Sequence, residues 1–394
     1  MRIFVLGAGA TGSLLAQLLA RQGHRVICGD KDPERARRFL GTKSPIPIRQ
    51  VNARNLWGIV RAARGCHLIV NASRAVFNEI VLRAALRLRA HYLDLSSHLV
   101  RHPFKAEQLR FHKRFQQKSR TAVITAGVAP GLTNLLARRA AEMLDATPEG
   151  RGKVEAVSIR LYESTESEDP ISSWSAEGTF DAAVSRPRVY RDARFRLAKR
   201  FSEPERFRFP PPIGETRVVL VAQDELGTLP HFLPMREMDA KIGGNEIDRL
   251  RRWYRQGKLR RSRGLVAARF PKTPTPRQVA KLIRRGVLQN AQFAAAVLVR
   301  GFKNDQPMLV RWDASFPTLY QIRVRGMLTT PIAYATAHMA ALFIKHFPRK
   351  LAGVYPPEAL PAETRQAILA DARARDFRIA MKVIRLKKPE EEEF

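Results

Sequence analysis

The sequence predicts an α/β protein, with a doubly wound parallel sheet and a second, α+β region. Two observations predict the sheet: a glycine-rich turn follows the first apolar run, and residues 1–130 alternate short apolar runs with amphipathic helix patterns. A third observation predicts the second region, because beyond residue 150 apolar residues alternate with polar ones, as in strands with one exposed face. Strands that alternate with helices at this spacing form βαβ units and a parallel sheet covered on both faces.

The first region contains a regular series of predicted elements. The strands are predicted at 2–6, 24–29, 48–51, 66–72, 91–95 and 122–125. The helices are predicted at 11–22, 33–40, 56–63, 77–89, 103–117 and 135–144. The first helix has the clearest period, since Leu14, Leu15, Leu18 and Leu19 share one face.

The second region has a different texture. Half-exposed strands are predicted at 154–163, 189–197, 216–222 and 321–325, with loops at the Gly and Pro clusters 210–214 and 271–276. The sheet is expected to be antiparallel or mixed. A long apolar helix at 331–347, a helix at 362–375 and a strand at 379–386 complete the chain.

Composition narrows the class of protein. The 394 residues are 45% hydrophobic and 27% charged, which excludes wholesale disorder. Cys28 and Cys66 are the only cysteines, and both sit in apolar segments, so a disulfide framework and a cysteine-based zinc site are excluded. We expect no membrane span, because no apolar run reaches about 18 residues. The N-terminus lacks a signal-peptide pattern, so a cytoplasmic location is the expectation.

The chain is strongly basic, with 70 Lys and Arg against 36 Asp and Glu and a formal net charge of +34. This raises the alternative of a nucleic-acid-associated protein. The densest basic segment, 250–263, carries Trp253 and Tyr254 among arginines, as a phosphate-binding and base-stacking surface would. A solvated helix end and loop is the simpler interpretation, because charge governs solubility and non-specific binding rather than fold. Non-specific attraction to polyanions at low salt is expected in either case.

Gly7, Gly9 and Gly12 form a G-x-G-x-x-G motif between the first strand and the first helix. In a dinucleotide-binding Rossmann fold, the first glycine permits a tight turn and the second lets the backbone approach a pyrophosphate. The third lets the helix pack closely on the sheet. The helix N-terminus then offers free N–H groups to the phosphates. The alternative is a glycine-rich turn kept for packing, but the strand, the helix and a following acidic residue supply the context that the motif requires.

Asp30 ends the second predicted strand and is that acidic residue. A carboxylate at this position accepts hydrogen bonds from the ribose hydroxyls and repels a 2′-phosphate, which favours NAD. Lys31 and Arg35 follow closely and could accommodate the phosphate of NADP instead. The alternative role for Asp30 is that of a helix-capping or turn aspartate.

Several segments beyond the glycine turn carry a family resemblance. They read VNAS at 70–73, HYLDLSSH at 91–98, AGVAPGLTN at 126–134, SSWSAEGTFDAAVSRPRVYRD at 172–192, GMLTTP at 326–331 and GVYPPEAL at 353–360. With these segments in this order, the chain resembles the saccharopine dehydrogenase-like family, which includes saccharopine reductase, carboxynorspermidine dehydrogenase and lysine dehydrogenase.

The resemblance implies a domain organisation. It implies a Rossmann domain at 1–130, an inserted α+β domain for substrate and dimerisation at 131–328, and a segment at 329–394 that packs back on the Rossmann domain. It also implies a homodimer and an amino-acid-like small-molecule substrate. One departure stands out, because relatives commonly carry a proline pair where this chain has Ser73, Arg74 and Ala75. An arginine at that turn could change substrate or cofactor contacts.

The candidate site follows from motif and resemblance together. The residues expected to bind the coenzyme are Gly7, Ala8, Gly9, Ala10, Thr11, Gly12, Asp30, Lys31, Asn71, Ala72, Ser73, Gly127 and Val128. The residues expected to bind substrate are Pro130, Gly131, Asn134, Trp174 and Ser175. For the turn at 127–134, the alternative is a plain strand-to-helix connection with a cap, and for Trp174 it is a packing anchor. No metal site is expected, because no His, Asp and Glu cluster has the ligand spacing of a metal motif.

Asp94 is the candidate catalytic residue. It ends the fifth predicted strand, at the sheet edge where ligands bind in open α/β sheets, and by resemblance it would polarise or deprotonate the substrate amine. The alternative is a structural aspartate that caps the next loop. His98 is a second acid or base candidate, with a surface-loop histidine as the simpler interpretation.

Together these observations predict an NAD(P)-dependent oxidoreductase that transfers hydride at the C–N bond of an amino acid, opine or polyamine-like substrate. A non-catalytic dinucleotide-binding sensor or scaffold is the alternative, since fold alone does not assign activity. The substrate and the direction of reaction are left open by the sequence.

Overall fold

The computed structural model describes residues 1–145, 152–259, 261–262, 265–266 and 270–387. Their strands are β1 Arg2–Leu6, β2 Arg25–Asp30, β3 Ile48–Gln50, β4 Leu68–Asn71, β5 His91–Asp94, β6 Thr121–Val123, β7 Lys153–Ser167, β8 Arg188–Arg191, β9 Arg194–Leu197, β10 Glu205–Arg208, β11 Glu215–Leu220, β12 Glu237–Gly243, β13 Arg261–Ser262, β14 Leu265–Val266, β15 Leu288–Lys303, β16 Gln306–Ser315, β17 Gly353–Tyr355 and β18 Arg378–Arg385.

Their α-helices are α1 Ala10–Arg21, α2 Pro33–Leu40, α3 Leu56–Ala62, α4 Asn78–Leu88, α5 His112–Gln117, α6 Leu132–Met143, α7 Ala176–Val184, α8 Leu229–Phe232, α9 Asn245–Arg255, α10 Pro276–Arg284, α11 Leu319–Val324, α12 Pro331–Lys345 and α13 Ala362–Arg373. Within the described ranges, no helix is both long enough and apolar enough to cross a membrane.

The first sheet has seven parallel strands in the order β17-β6-β5-β4-β1-β2-β3. Alternate residues of β1 enter two separate cores: Ile3 and Val5 pack with α1 and α12, whereas Phe4 and Leu6 pack with α3 and α4. The central strands are therefore buried on both faces, as a doubly wound sheet requires, whereas the edge strand β3 is largely exposed. The predicted fold class is confirmed.

The second sheet is mixed, in the order β10-β11-β12-β7-β15-β16-β18, with the β8–β9 hairpin joined to β12. β12 runs parallel to β7, whereas β7, β15 and β16 pair antiparallel. α6 leads from the first sheet into β7 and packs against β15, so the two sheets share one continuous core.

The chain after α11 returns to both sheets. α12 packs along α1, and β17 extends the first sheet beside β6. β18 instead pairs with β16 of the second sheet, from Met308 to Ser315. The physical reason is that β16 presents a row of backbone N–H and C=O groups that another strand has to satisfy.

Three local predictions differ from the structure. The single strand predicted at 189–197 is the β8–β9 hairpin, which turns at Asp192 and Ala193, both with positive φ. The segment predicted as a strand at 321–325 lies in α11, where Thr318 and Gln321 cap the helix reciprocally. The helix predicted at 103–117 is a 3₁₀ turn, Glu107–Phe111, followed by α5, and the residues before it form a long loop at 95–106. This loop, which we call the crossover loop, reaches from the end of β5 to the second sheet.

Candidate active site

The glycine loop after β1 has the geometry of an open cradle. Gly7 has a φ of +95°, and a Cβ there would lie 2.7 Å from the backbone nitrogen of Ser73. A Cβ on Gly12 would lie 1.9 Å from the carbonyl oxygen of Gly7, so the loop and α1 meet in backbone contact. A Cβ on Gly9 would meet nothing within 4 Å. Gly7 and Gly12 are therefore required by the protein itself, whereas the space above Gly9 is free for a ligand.

The N-terminus of α1 faces this space. Gly9 is the N-cap residue, no side chain caps the helix, and the first turn contains no acidic residue. Ala10 and Thr11 are half-buried. The first N–H groups of a helix have no intrahelical partner and carry the positive end of the helix dipole, so this end can bind a phosphate.

Asp30, at the end of β2, accepts a hydrogen bond from the backbone of the glycine loop. Its Oδ2 accepts a hydrogen bond from the Ala8 N–H at 2.9 Å, and its Oδ1 accepts one from the Asp32 N–H at 3.1 Å. The cap of α2 is Asp32, which accepts from the Arg35 N–H, so Asp30 is not a helix-capping residue. Lys31 is exposed beside it.

The turn after β4 closes the other side of the cradle. Asn71 accepts hydrogen bonds from the Ser73 N–H at 3.1 Å and the Ser73 hydroxyl at 2.5 Å, and its amide donates to Asn78 at 2.6 Å. This Asx turn brings Ala72 and Ser73 against Gly7. The structure thus brings these expected coenzyme-binding residues to one edge of the sheet.

Arg74, the residue that departs from the family pattern, connects the two sheets. Its guanidinium lies 2.6 Å from Glu177 and 3.3 Å from Asp181, both on α7. All three side chains are about one-third exposed, at 35%, 33% and 42%. We call this group the Arg74 cluster. These ion pairs between Arg74 and two acids of α7 were not revealed by the sequence, because the partners are separated by about a hundred residues.

Trp174 and Ser175 shape the start of α7. The Ser175 hydroxyl caps the helix by accepting from the Gly178 N–H at 3.1 Å. The Trp174 ring lies directly over Gly178, where a Cβ would be 2.4 Å from the ring. Trp174 is half-exposed. Both residues therefore position the helix that carries Glu177 and Asp181.

Asp94 is fully buried rather than exposed at the carboxyl edge of the first sheet. Its Oδ1 accepts from the Thr125 N–H at 2.7 Å, and its Oδ2 lies 2.9 Å from the Tyr92 hydroxyl and 3.1 Å from the Gln108 amide nitrogen. Its exposure is 0%, and burial raises its pKa to about 7. Thr125 has a φ of +57°, so Asp94 holds a left-handed residue at the end of β6.

The second glycine turn is closed. A Cβ on Gly131, whose φ is +135°, would lie 2.0 Å from the Gly127 carbonyl oxygen. The first N–H groups of α6 are used internally, since Leu132 donates to Gly127 and Thr133 donates to Val128. Gly127, Val128, Pro130 and Gly131 are buried.

Two buried glutamates lock this turn to distant parts of the chain. Glu225 accepts from the Thr133 hydroxyl at 2.9 Å, and Glu358 accepts from the Asn134 amide at 3.0 Å. Asn134 also accepts from the Gly131 N–H at 3.0 Å. Burial raises the pKa of Glu225 and of Glu358 to about 7. Neither glutamate was singled out from the sequence, because nothing in its local sequence marks it as buried.

The basic segment at 250–263 lies on and after α9. Trp253 packs against Phe270 with ring centroids 6.0 Å apart, and Arg249 lies over its ring at 5.4 Å. Tyr254 is 38% exposed, with Arg200 over its ring at 5.5 Å. Arg260 and Arg263 lie outside the described residues. Trp253 is thus half-buried against Phe270, and Tyr254 is the more exposed aromatic residue of this segment.

Comparison with known proteins gives the family context. The family described as saccharopine dehydrogenase NADP binding domain matches residues 3–123. The apo structure of saccharopine dehydrogenase (L-Glu forming) from Saccharomyces cerevisiae is similar over 97% of this chain and 99% of that chain, with a TM-score of 0.68 and 11% sequence identity. The resemblance predicted from the sequence is confirmed, and at this identity the structural match establishes the fold.

Other solved structures match only part of the chain. A uronate dehydrogenase from Agrobacterium tumefaciens covers 24% of this chain and 40% of its own, with a TM-score of 0.21 and 17% identity. The Bordetella bronchiseptica enzyme WbmG, in complex with NAD and UDP, covers 25% of this chain and 38% of its own, with a TM-score of 0.23 and 21% identity. These values are too low to carry an argument about function.

Proposed function

We propose that the protein is an NAD(P)-dependent oxidoreductase that transfers hydride between a nicotinamide coenzyme and a carbon bearing nitrogen in an amino acid, opine or polyamine-like substrate. The match of residues 3–123 to the dinucleotide-binding family supports the coenzyme class. The whole-chain fold match supports the presence of both a coenzyme domain and a second, substrate-facing domain. The bound coenzyme would supply the hydride acceptor or donor.

The observation that carries the proposal is the free space above Gly9, next to the uncapped N-terminus of α1. A glycine retained for packing would show close neighbours around an added Cβ, as Gly7 and Gly12 do. Gly9 shows none, so its lack of a side chain serves a ligand. A pyrophosphate fits this position, because it needs close backbone approach and unpaired N–H donors.

The Arg74 cluster supports the substrate class. An amino acid carries a carboxylate and an ammonium group, and these groups complement Arg74 on one side and Glu177 with Asp181 on the other. On binding, the substrate carboxylate would pair with Arg74 and the substrate ammonium group would pair with Glu177 and Asp181. Each charge of the cluster would therefore keep a partner. The cluster stands at the turn after β4, beside the loop that holds the coenzyme.

We propose a nicotinamide dinucleotide as the coenzyme, with NADP favoured by the family match and NAD favoured by the position of Asp30. The Asp30 carboxylate lies next to Ala8 in the cradle, where it would repel a 2′-phosphate. The description of the matching family names NADP, and the exposed Lys31 is the group that would serve that coenzyme. Calorimetric titration with each coenzyme separates the two, since tighter binding of NADP would contradict the argument from Asp30.

The test of the proposal is coenzyme binding by Gly9→Val compared with the wild-type protein. We expect the dissociation constant for the preferred coenzyme to rise at least tenfold, about 1.4 kcal/mol, because the valine side chain fills the pyrophosphate position. The melting temperature should fall only slightly, since nothing lies within 4 Å of the added Cβ and the loss of a glycine N-cap costs about 1 kcal/mol. Absence of coenzyme binding by the folded wild-type protein would reject the proposal.

Turnover separates an enzyme from a dinucleotide-binding sensor. Reduction of the coenzyme is followed by absorbance with pools of amino acids, and its oxidation with keto acids plus amines. Coenzyme binding without turnover on any pool would favour the non-catalytic alternative. Homodimer formation and weak binding of polyanions are predictions to be checked by light scattering and by titration at two salt concentrations.

A further inference from the structure

Three titratable side chains from different elements converge beside the crossover loop. Glu79 lies on α4, His98 lies on the loop, and Glu107 begins the 3₁₀ turn that follows it. His98 Nδ1 lies 3.5 Å from a Glu79 oxygen and 3.6 Å from a Glu107 oxygen. The three candidate ligand atoms all lie within 4.8 Å of one another. The side chains are buried, with exposures of 13%, 11% and 0% respectively.

The facing atoms of this group have no hydrogen-bond partner. Glu107 uses one oxygen to accept from the Val100 and Arg101 N–H groups at 3.0 and 2.7 Å, while its Oε2 has no hydrogen-bond partner and lies near His98. Glu79 likewise bonds Arg110 through Oε2 and leaves Oε1 without one. A buried polar atom without a partner costs about 1–3 kcal/mol. A cluster of such atoms pointing at one another indicates a shared ligand.

We propose that Glu79, His98 and Glu107 bind a divalent transition-metal ion, with zinc as the best fit. Zinc takes imidazole nitrogen and carboxylate oxygen at about 2.0–2.2 Å, and atoms around a tetrahedral ion at that distance stand roughly 3.3–3.6 Å apart. The two separations to His98 Nδ1 have this value. The two carboxylates balance the charge of the ion, and a water molecule completes the coordination.

The position of the site gives the ion a structural role. The crossover loop makes several contacts with the second domain: Ser97 donates to Asp224 at 3.0 Å, and Arg188 donates to the Leu99 carbonyl at 3.2 Å. Gln108, next to Glu107, bonds both the His98 N–H and Asp94. The metal would therefore fix the crossover loop, which contacts residues of both sheets, and, through Gln108, the Asp94 network beside the second glycine turn.

The experiment is a metal titration of untagged protein after dialysis against a chelator, in the absence of coenzyme. We expect one equivalent of Zn²⁺ by calorimetry and visible absorption bands of low-symmetry Co²⁺ when Co²⁺ replaces it. His98→Ala and Glu107→Gln should weaken Zn²⁺ binding roughly 100-fold, because each removes one of three ligands. Addition of Zn²⁺ should raise the wild-type melting temperature.

The matched control is His346→Ala, because His346 lies 2.7 Å from the carboxylate of Asp371 without being part of the three-residue group. This variant should bind Zn²⁺ as the wild type does. Lack of a one-to-one Zn²⁺ or Co²⁺ complex in the wild-type protein would overturn the proposal. The proposal would also be overturned if Glu79→Gln, which keeps the side-chain shape, bound Zn²⁺ with the same affinity as the wild-type protein. A protein that binds no metal and is stabilised by Glu79→Gln contains a shared proton instead of a metal.

Discussion

The two glycine turns at the carboxyl edge of the first sheet have similar composition and opposite designs. The first, Gly7 to Gly12, leaves the N-terminus of α1 without a side-chain cap and leaves open space above Gly9. The second, Gly127 to Gly131, folds onto itself, and its helix is capped by Asn134. The first turn leaves the N-terminus of its helix without a side-chain partner, whereas the second turn uses the first N–H groups of its helix in hydrogen bonds within the protein.

The difference teaches that a glycine is informative only together with its surroundings. Gly131 is required by its φ of +135° and by the carbonyl oxygen of Gly127, and so reports on folding. A Cβ on Gly9 would meet no atom of the described protein within 4 Å, and this open space is the observation behind the proposed coenzyme site. The second turn also explains why Pro130, Gly131 and Asn134 are buried although the sequence made them substrate-binding candidates.

The largest expected effect comes from filling the closed turn. Gly131→Ala should lower the free energy of unfolding by roughly 3–5 kcal/mol, because it combines a disfavoured φ with a backbone clash. Gly9→Ala, with an unobstructed Cβ, should change it by less than about 1 kcal/mol. Urea denaturation measures both. Comparable losses in the two variants would show that the open and closed turns do not differ as described.

The next effect concerns the glutamates behind the closed turn. Burial raises the pKa of Glu358 to about 7 from a usual value of 4.5, so the folded state keeps a proton that the unfolded chain releases. The stability that this proton gives is complete below pH 4.5 and is lost as the pH rises through 7. Between pH 5 and 8 we expect Glu358 to lower the free energy of unfolding by on the order of 2 kcal/mol.

Glu358→Gln should remove that part of the pH dependence, because the amide does not titrate. The exposed Glu363→Gln on α13 is the control and should leave the pH profile unchanged. The measurement is urea denaturation at a series of pH values. An identical pH profile in Glu358→Gln and in the wild type would show that the closed turn does not hold a protonated carboxyl group.

The smallest effect on the free energy of unfolding is expected at the Arg74 cluster. Arg74→Ala should change the free energy of unfolding by less than about 1 kcal/mol, because its ion pairs are partly exposed. The same change should raise KM for an amino-acid substrate at least tenfold, since it removes a carboxylate-binding group. Arg83→Ala, an exposed arginine on α4, is the control. If Arg74→Ala lost much stability while KM stayed unchanged, Arg74 would have a structural role instead of a role in substrate binding.

Most of the first sheet could be predicted from the sequence because β1, β2, β4, β5 and β6 are largely buried strands. β3 has only Ile48 as an apolar residue, and the three-residue β17 was not predicted. The second sheet was harder. β15 contains Ala294, Ala295 and Ala296, which carry little strand signal, and its burial comes from β7 on one side and β16 on the other. α11 was predicted as a strand because Ile322 alternates with polar neighbours, although Thr318 and Gln321 already held the signature of a capping box.

The candidate site divided in the same way. The glycine motif and Asp30 could be found because their chemistry depends on local spacing. Glu225, Glu358 and the Arg74 cluster could not, because their roles depend on contacts between residues far apart in the chain. His98 was recognised as a titratable candidate, but its two carboxylate neighbours become visible only when α4 and the crossover loop meet.

The path of the chain through β17 and β18 has a consequence for biosynthesis. The outer strand of each sheet is supplied by residues after 352, so β6 and β16 wait with an unpaired edge while hundreds of earlier residues have already emerged from the ribosome. The edge of β6 can recruit neighbouring nascent chains until β17 has been made, and the edge of β16 can do so until β18 has been made. A chain truncated before β17 would keep both edges unpaired. We expect chaperones and proteases to recognise such fragments.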